Sequence, residues 1–165
     1  MSAPLKLNRR KCQFRVSEVR YVDHLLSADC VKPDPQKVEA INGMPVPVNR
    51  EELQRFLSVI TYLSKFIPNM SQKSAPLHQL LQKDIEWPWG KAAFTSLKTA
   101  ISSAPVLKFF DPEEPVTLSV DASSKGVGAV ILQNERPVAY ASKALTLSQK
   151  NYPQIEKEML AIVFG

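Results

Sequence analysis

At Asp111 the hydrophobic period of this chain changes from that of helices to that of strands, and any fold must accommodate the switch. The change falls on Asp111-Pro-Glu-Glu-Pro115, which is turn chemistry. Upstream, Asn49 can cap a helix and Glu52 completes a capping box. Leu53, Phe56, Leu57, Ile60, Leu63 and Ile67 then follow at helical spacing until Pro68. Asp34-Pro35 opens an earlier helix that Gly43 stops, and Pro45 and Pro47 mark a linker after it. Two more helices are expected, over 72–82 and from Gly90 to just before Pro105. These segments predict a small helical subdomain. Ahead of them, residues 12–31 predict two short strands, Phe14 and Val16 against Val19, Tyr21 and Val22, turning at Ser17-Glu18. Downstream, Val116, Leu118 and Val120 alternate with Thr117, Ser119 and Asp121, the period-2 pattern of a strand with one polar face. Turns at Ser123-Ser124-Lys125-Gly126 and at Asn134-Glu135-Arg136-Pro137 predict further strands over 127–132 and 138–141. A terminal helix begins at Pro153. The expected fold class is therefore mixed α/β (α+β).

Charge separates along the same boundary. Residues 1–110 carry 16 basic and 9 acidic side chains, a net +7, whereas 111–165 carry 5 and 7, a net −2. A basic front half fits a polyanionic partner, and the bland reading is a solvated lysine-rich surface. At 44% hydrophobic and 22% charged residues, the composition excludes disorder and fibrous classes. No apolar run approaches the roughly 18 residues of a membrane helix. Met1 to Lys11 has basic residues but no apolar core, so no secretory signal is visible. Cys12 and Cys30, with His24 and His78, are too few for a disulfide framework or a Cys/His zinc site. The expected compartment is reducing and intracellular.

Three places carry candidate chemistry. Asp121 ends a strand and enters a turn. It either starts an Asx turn or, as a rigidly held carboxylate, ligates a hard divalent cation such as Mg²⁺. A pair of metals needs a second carboxylate, and Glu156 and Glu158 in the terminal helix are candidates. At about 100° per residue, Glu158 lies about 40° from Ile162 and Glu156 about 20° from Val163, so both flank the apolar face and periodicity does not choose between them. The third place is the long helix, where Gln54, Ser58 and Tyr62 form a stripe flanked by Arg55 and Lys65. An amide, a small residue and an aromatic with cations nearby suit the groove of a nucleic-acid duplex, and the bland reading is an ordinary polar flank.

Taken in order, LNRRKCQF (7–14), VRYVDHLLS (19–27), KPDPQKVEAI (32–41), LQRFLSVITYLSKFIPNMS (53–71), APLHQLLQKD (75–84), AAFTSLKTAISSAPVL (92–107), VDASSKGVGAVILQ (120–133), RPVAYASKALTLSQKNY (136–152) and EKEMLAIV (156–163) cover nearly the whole chain. This set resembles the pol polyprotein of gypsy-type LTR retrotransposons, across the end of reverse transcriptase and the start of its ribonuclease H domain. The resemblance implies the end of a palm β-hairpin over 1–31, with the primer-gripping hairpin around Tyr21 to Ser27. It implies a helical thumb over 32–84, a helical tether over 85–115, and a truncated ribonuclease H-like domain, three strands with one helix, over 116–165. Gln54, Ser58 and Tyr62 match positions that track the minor groove of template–primer. Asp121 matches the first catalytic aspartate and Glu158, rather than Glu156, the catalytic glutamate, with Mg²⁺ as cofactor.

The family activities are RNA-directed DNA synthesis and Mg²⁺-dependent cleavage of RNA in RNA–DNA hybrids. Implied partners are hybrid or template–primer duplex and the remainder of the polyprotein, with no membrane, in the cytoplasm or a virus-like particle. By the same resemblance the paired polymerase aspartates lie upstream of this chain and the remaining ribonuclease H carboxylates downstream. Asp23, Cys30 and Ser58 stand where the family usually has glycine, at places that call for positive φ or close backbone approach. Two other readings follow: a non-catalytic nucleic-acid-binding module, or an inactive retroelement relic. The three strands and one helix are also expected to leave strand edges and an apolar face uncovered, making 111–165 poorly stable alone.

Overall fold

The computed structural model describes Asn8, residues 12–82 and residues 91–165. Expectations for residues 1–11 other than Asn8, the helix start at Gly90 and the boundary between 84 and 85 lie outside the described residues.

The first sheet is an antiparallel meander of β1 (Glu18–Tyr21), β2 (His24–Ser27) and β3 (Val31–Pro33). Three strands stand where two were expected, and the turn is not at Ser17-Glu18. Tyr21 pairs with His24, so Val22 and Asp23 form a two-residue turn, with φ of 44° and 61°. Left-handed backbone at both turn residues matches the twist of the flanking strands. A β-branched valine disfavours that conformation, which is why Val22 reads as strand in the sequence. Tertiary contacts hold it: the Val22 carbonyl accepts the Tyr62 hydroxyl at 2.6 Å and meets His24 Nδ1. Asp23 is anchored beside it, its carbonyl accepting Asp34 N–H at 3.1 Å and its carboxylate pairing with Lys37 at 3.3 Å.

Four helices follow: α1 (Pro35–Gly43), α2 (Arg50–Tyr62), α3 (Met70–Gln79) and α4 (Lys91–Ser102). Asp34 caps α1 by accepting from Gln36 N–H, with Pro35 in the first turn as expected. Asn49 caps α2 by accepting from Glu52 N–H at 2.8 Å, while the Glu52 carboxylate reaches back one residue further than a capping box requires, to Val48 N–H at 2.9 Å. The helix ends at Tyr62 rather than near Ile67. A 3₁₀ turn, Ser64–Phe66, tightens the chain and carries Phe66 fully into the core. Leu53, Phe56, Ile60, Leu77, Leu97 and Ile101 are each at most 2% exposed and form one core shared by the helices. Within it the Phe56 and Phe94 rings lie 4.5 Å apart.

The segment after α4 stitches the two halves together. Leu107 exchanges backbone hydrogen bonds with Val31 at 2.8 and 3.0 Å, and Lys108 N–H donates to the Pro137 carbonyl at 2.8 Å. The second sheet is antiparallel: β4 (Thr117–Ala122), β5 (Gly126–Gln133) and β6 (Arg136–Ala144). Its second hairpin turns on Asn134 and Glu135 alone, at φ of 51° and 59°, so Arg136 and Pro137 belong to β6 and the strand is longer than expected. A short helix that the sequence reading missed, α5 (Leu147–Lys150), is fixed by a Thr146/Gln149 capping box. Then α6 (Gln154–Phe164) lies on β4 and β5, burying Ala161 with Ala122, Val127 and Leu145.

The opposite face of this sheet is covered by α3 and the 3₁₀ turn. Ser71 N–H donates to Ser142 Oγ at 2.9 Å, Tyr140 packs on the helical core, and Asn69 presses against β5. A Cβ on Gly128 would stand 2.3 Å from Asn69 Oδ1, so any side chain there would require the Asn69 amide to swing aside. The expected uncovered apolar face lies on the outer side of α6, where Ile155, Met159, Ile162 and Val163 are exposed.

Candidate nucleic-acid interface and carboxylate pair

Gln54, Ser58 and Tyr62 occupy successive turns of α2 and are all exposed. Ser58 Oγ donates to the Gln54 carbonyl at 2.9 Å, which ties the hydroxyl back to the helix and keeps the stripe low. Tyr62 reaches across to the hairpin tip: its hydroxyl holds Val22, and its ring meets His24 edge-on with centroids 5.5 Å apart. Ser58, Tyr62, Asp23 and Lys37 line one cavity of about 280 Å³ between α1, α2 and the hairpin. The structure thus joins two features that the sequence left 31 to 40 residues apart. Of the three positions expected to favour glycine, Asp23 has positive φ, whereas Cys30 and Ser58 do not.

The two expected cations diverge. Arg55 lines a separate cleft with Pro45, Pro47 and Phe56. Lys65 lies 5.1 Å from the Phe66 ring centroid, and desolvation there lowers its pKa from the ordinary 10.5. His24 was not among the expected site residues. It is 8% exposed and its Nε2 lacks a partner among the described residues. The signal for it was its position directly after the turn, which becomes visible only once the turn is placed correctly.

Asp121 is exposed on β4, between half-buried Val120 and buried Ala122, which face α6. Glu158 is exposed on α6. Strand alternation therefore puts the Asp121 side chain on the face away from α6, while Gln154 ties α6 to the strand backbone beside it: its side-chain amide donates to the Ala122 carbonyl at 3.0 Å and to Glu158 Oε1 at 3.2 Å. One amide therefore spans from the residue after Asp121 to the Glu158 carboxylate. Glu156 lies outside this bridge, in the first turn of α6. Gln154 was also missed, because an exposed glutamine early in a helix carries no sequence signal of its own. Among the described residues no three His, Cys, Asp or Glu side chains gather to hold a metal ion.

The model of the RNase H-like domain found in reverse transcriptase matches residues 89–165. The Transposon Tf2-3 and Tf2-4 polyproteins of Schizosaccharomyces pombe are each 37% identical to this chain over 170 residues, covering 98% of it. The chain belongs to the retrotransposon polyprotein family. It spans 13% of the length of those relatives. The foamy viral protease-reverse transcriptase in complex with RNA/DNA hybrid superposes with a TM-score of 0.85 at 21% identity, over 94% of this chain and 22% of that one. The same viral protein in complex with dsDNA gives 0.81 at 21% identity, over 90% and 33%. At that identity the likeness establishes the fold. This retrotransposon polyprotein segment is a mixed helix-and-strand structure with the reverse transcriptase/RNase H-like architecture. No helix among its described residues is long and apolar enough to cross a membrane.

Proposed function

We propose that this segment grips template–primer duplex with the α2 stripe and the hairpin tip, and supplies Asp121 and Glu158 to a Mg²⁺-dependent ribonuclease H centre acting on RNA–DNA hybrid. The observation that carries the proposal is the Gln154 bridge from Ala122 to Glu158, which sets the second carboxylate beside the strand that holds the first. In this reading residues 1–31 are the last palm strands, 32–84 the thumb, 85–115 the tether and 116–165 the first part of the nuclease domain.

The donor set fits the ion, since two carboxylates are the hard oxygen ligands a small divalent cation takes. When bound, such ions activate a water and stabilise the leaving oxygen in phosphodiester hydrolysis. The chain's own part is positional. A strand holds Asp121, and Gln154 donates to the Glu158 carboxylate, restricting its rotamers without competing for both oxygens. On α2, Gln54 offers amide donors and acceptors to base edges while Ser58 allows close approach. Tyr62 presents the ring that the hairpin tip steadies.

The test is cleavage of labelled RNA in an RNA–DNA hybrid with Mg²⁺, run beside Asp121→Asn. Cleavage by the wild type that the variant abolishes supports the proposal. Salt-sensitive binding with no cleavage by either protein favours a second reading, a binding module without catalysis, which the lack of a third clustered ligand among the described residues also favours. Absence of both binding and cleavage refutes both readings.

A further inference from the structure

The hairpin tip carries a charge that its backbone does not require. Asp23 sits at φ of 61°, a conformation that glycine and asparagine also adopt. Its carbonyl fixes the tip by accepting Asp34 N–H at 3.1 Å, a bond any residue could supply. Its carboxylate makes one polar contact among the described residues, an ion pair with Lys37 of α1 at 3.3 Å. Both side chains stay about half exposed, Asp23 at 43% and Lys37 at 50%.

This pair stands inside the proposed duplex footprint. Asp23 and Lys37 line the same cavity as Ser58 and Tyr62. The two cations that flank the stripe in sequence do not, since Arg55 lines a separate cleft and Lys65 lies over the Phe66 ring. Lys37 is therefore the cation that the fold sets with the stripe. Carboxylate and phosphate offer an ammonium the same thing, anionic oxygens that accept its N–H groups. A duplex phosphate that took Lys37 would leave the Asp23 carboxylate unpaired beside it, and like charges repel. As it stands, the pair presents no net charge to a duplex.

We infer that Asp23 masks Lys37: the carboxylate at the hairpin tip takes the place of a duplex backbone phosphate and holds this cation out of the grip. The inference rests on the proposed duplex reading and concerns how tightly that surface binds. Asp34, the next carboxylate along, plays a different part. It is 7% exposed, caps α1 through Gln36 N–H and lies 3.8 Å from Arg20, so it is committed to the fold. The Asp23 charge has no such structural duty. Removing it while keeping the turn frees one phosphate contact.

The experiment uses the full chain with Asp23→Asn, Lys37→Gln and the double variant. Affinity for a labelled template–primer duplex is measured as a function of salt, and thermal unfolding is recorded for each protein. Asparagine keeps the left-handed turn, so the melting temperature of Asp23→Asn stays near that of the wild type. Its affinity at low salt is expected to rise about fivefold, the most that one exposed ion pair withholds. Its slope of log affinity against log salt steepens by about 0.9, the value for one added phosphate contact. Asp23→Gly, which also accepts positive φ, reproduces the gain. Lys37→Gln alone leaves the slope unchanged, and in the double variant the gain disappears, the non-additivity that a mask requires. An equal gain in the Lys37→Gln background overturns the inference, because the carboxylate then acts by repulsion alone. A slope that Lys37→Gln alone reduces also overturns it, as does wild-type binding that Asp23→Asn leaves unchanged. If none of the proteins binds duplex, the duplex reading itself fails and the mask falls with it.

Discussion

Gln133 gives the sharpest test of how the two halves are joined. It is 1% exposed at the end of β5 and makes three hydrogen bonds to the turn that ends the helical pattern. Oε1 accepts from Asp111 N–H at 2.9 Å, and Nε2 donates to the carbonyls of Asp111 at 2.7 Å and Glu114 at 3.1 Å. Replacement by leucine keeps the volume but removes all three bonds and leaves the Asp111 N–H and the Glu114 carbonyl without partners, while the Asp111 carbonyl keeps Glu114 N–H at 3.2 Å. At about 1 kcal/mol per net hydrogen bond, Gln133→Leu is expected to cost about 3 kcal/mol. With a urea dependence of about 2 kcal/mol/M, the midpoint falls by about 1.5 M. Gln133→Glu is expected to be at least as harmful near neutral pH, because a carboxylate oxygen then faces two carbonyls. It recovers in part on acidification, when the protonated acid can donate once more. Urea titrations of the full chain followed by far-UV circular dichroism measure both. A midpoint shift below about 0.3 M for the leucine variant, or a glutamate variant as stable as wild type, refutes the reasoning.

Gly126→Ala is expected to destabilise by about 1–3 kcal/mol, since the new Cβ would stand 2.9 Å from the Lys143 backbone carbonyl, which cannot swing aside as a side-chain tip can. Thermal unfolding reads the loss. Tyr62→Phe removes the hydroxyl that holds the Val22 carbonyl and is expected to cost about 1 kcal/mol, measured by urea denaturation. Burial depresses the Lys65 pKa below its unfolded value near 10.5, so its charged form costs stability below the folded pKa. That cost is relieved as pH rises toward 10.5, and Lys65→Met should abolish the corresponding rise in urea midpoint.

Much of the architecture is written in local chemistry. The caps at Asp34 and Asn49, the apolar face of α2 and the alternation of β4 each depend on residues a few positions apart, and the structure keeps all of them. Boundaries set by distant contacts were not legible. The first hairpin turns at Val22-Asp23 because Tyr62, 40 residues on, accepts the strain by bonding Val22. The short helix α5 was missed because its capping box precedes a single turn with no apolar period to announce it.

The same division runs through the candidate site. The sequence by itself determined which side chains stand as candidates and on which element each lies: Asp121 on a strand, two glutamates on a helix, and the Gln54-Ser58-Tyr62 stripe, since side-chain type and short-range period are local properties. It did not choose between Glu156 and Glu158 on periodicity, because both flank the apolar face. Tertiary structure decided which neighbours they meet. The Gln154 bridge forms only when α6 lies across the end of β4, and the Asp23–Lys37 pair closes only because the first hairpin sets its tip beside α1. Hydrogen bonds and cavities between elements depend on how whole faces dock, and no spacing along the chain encodes that.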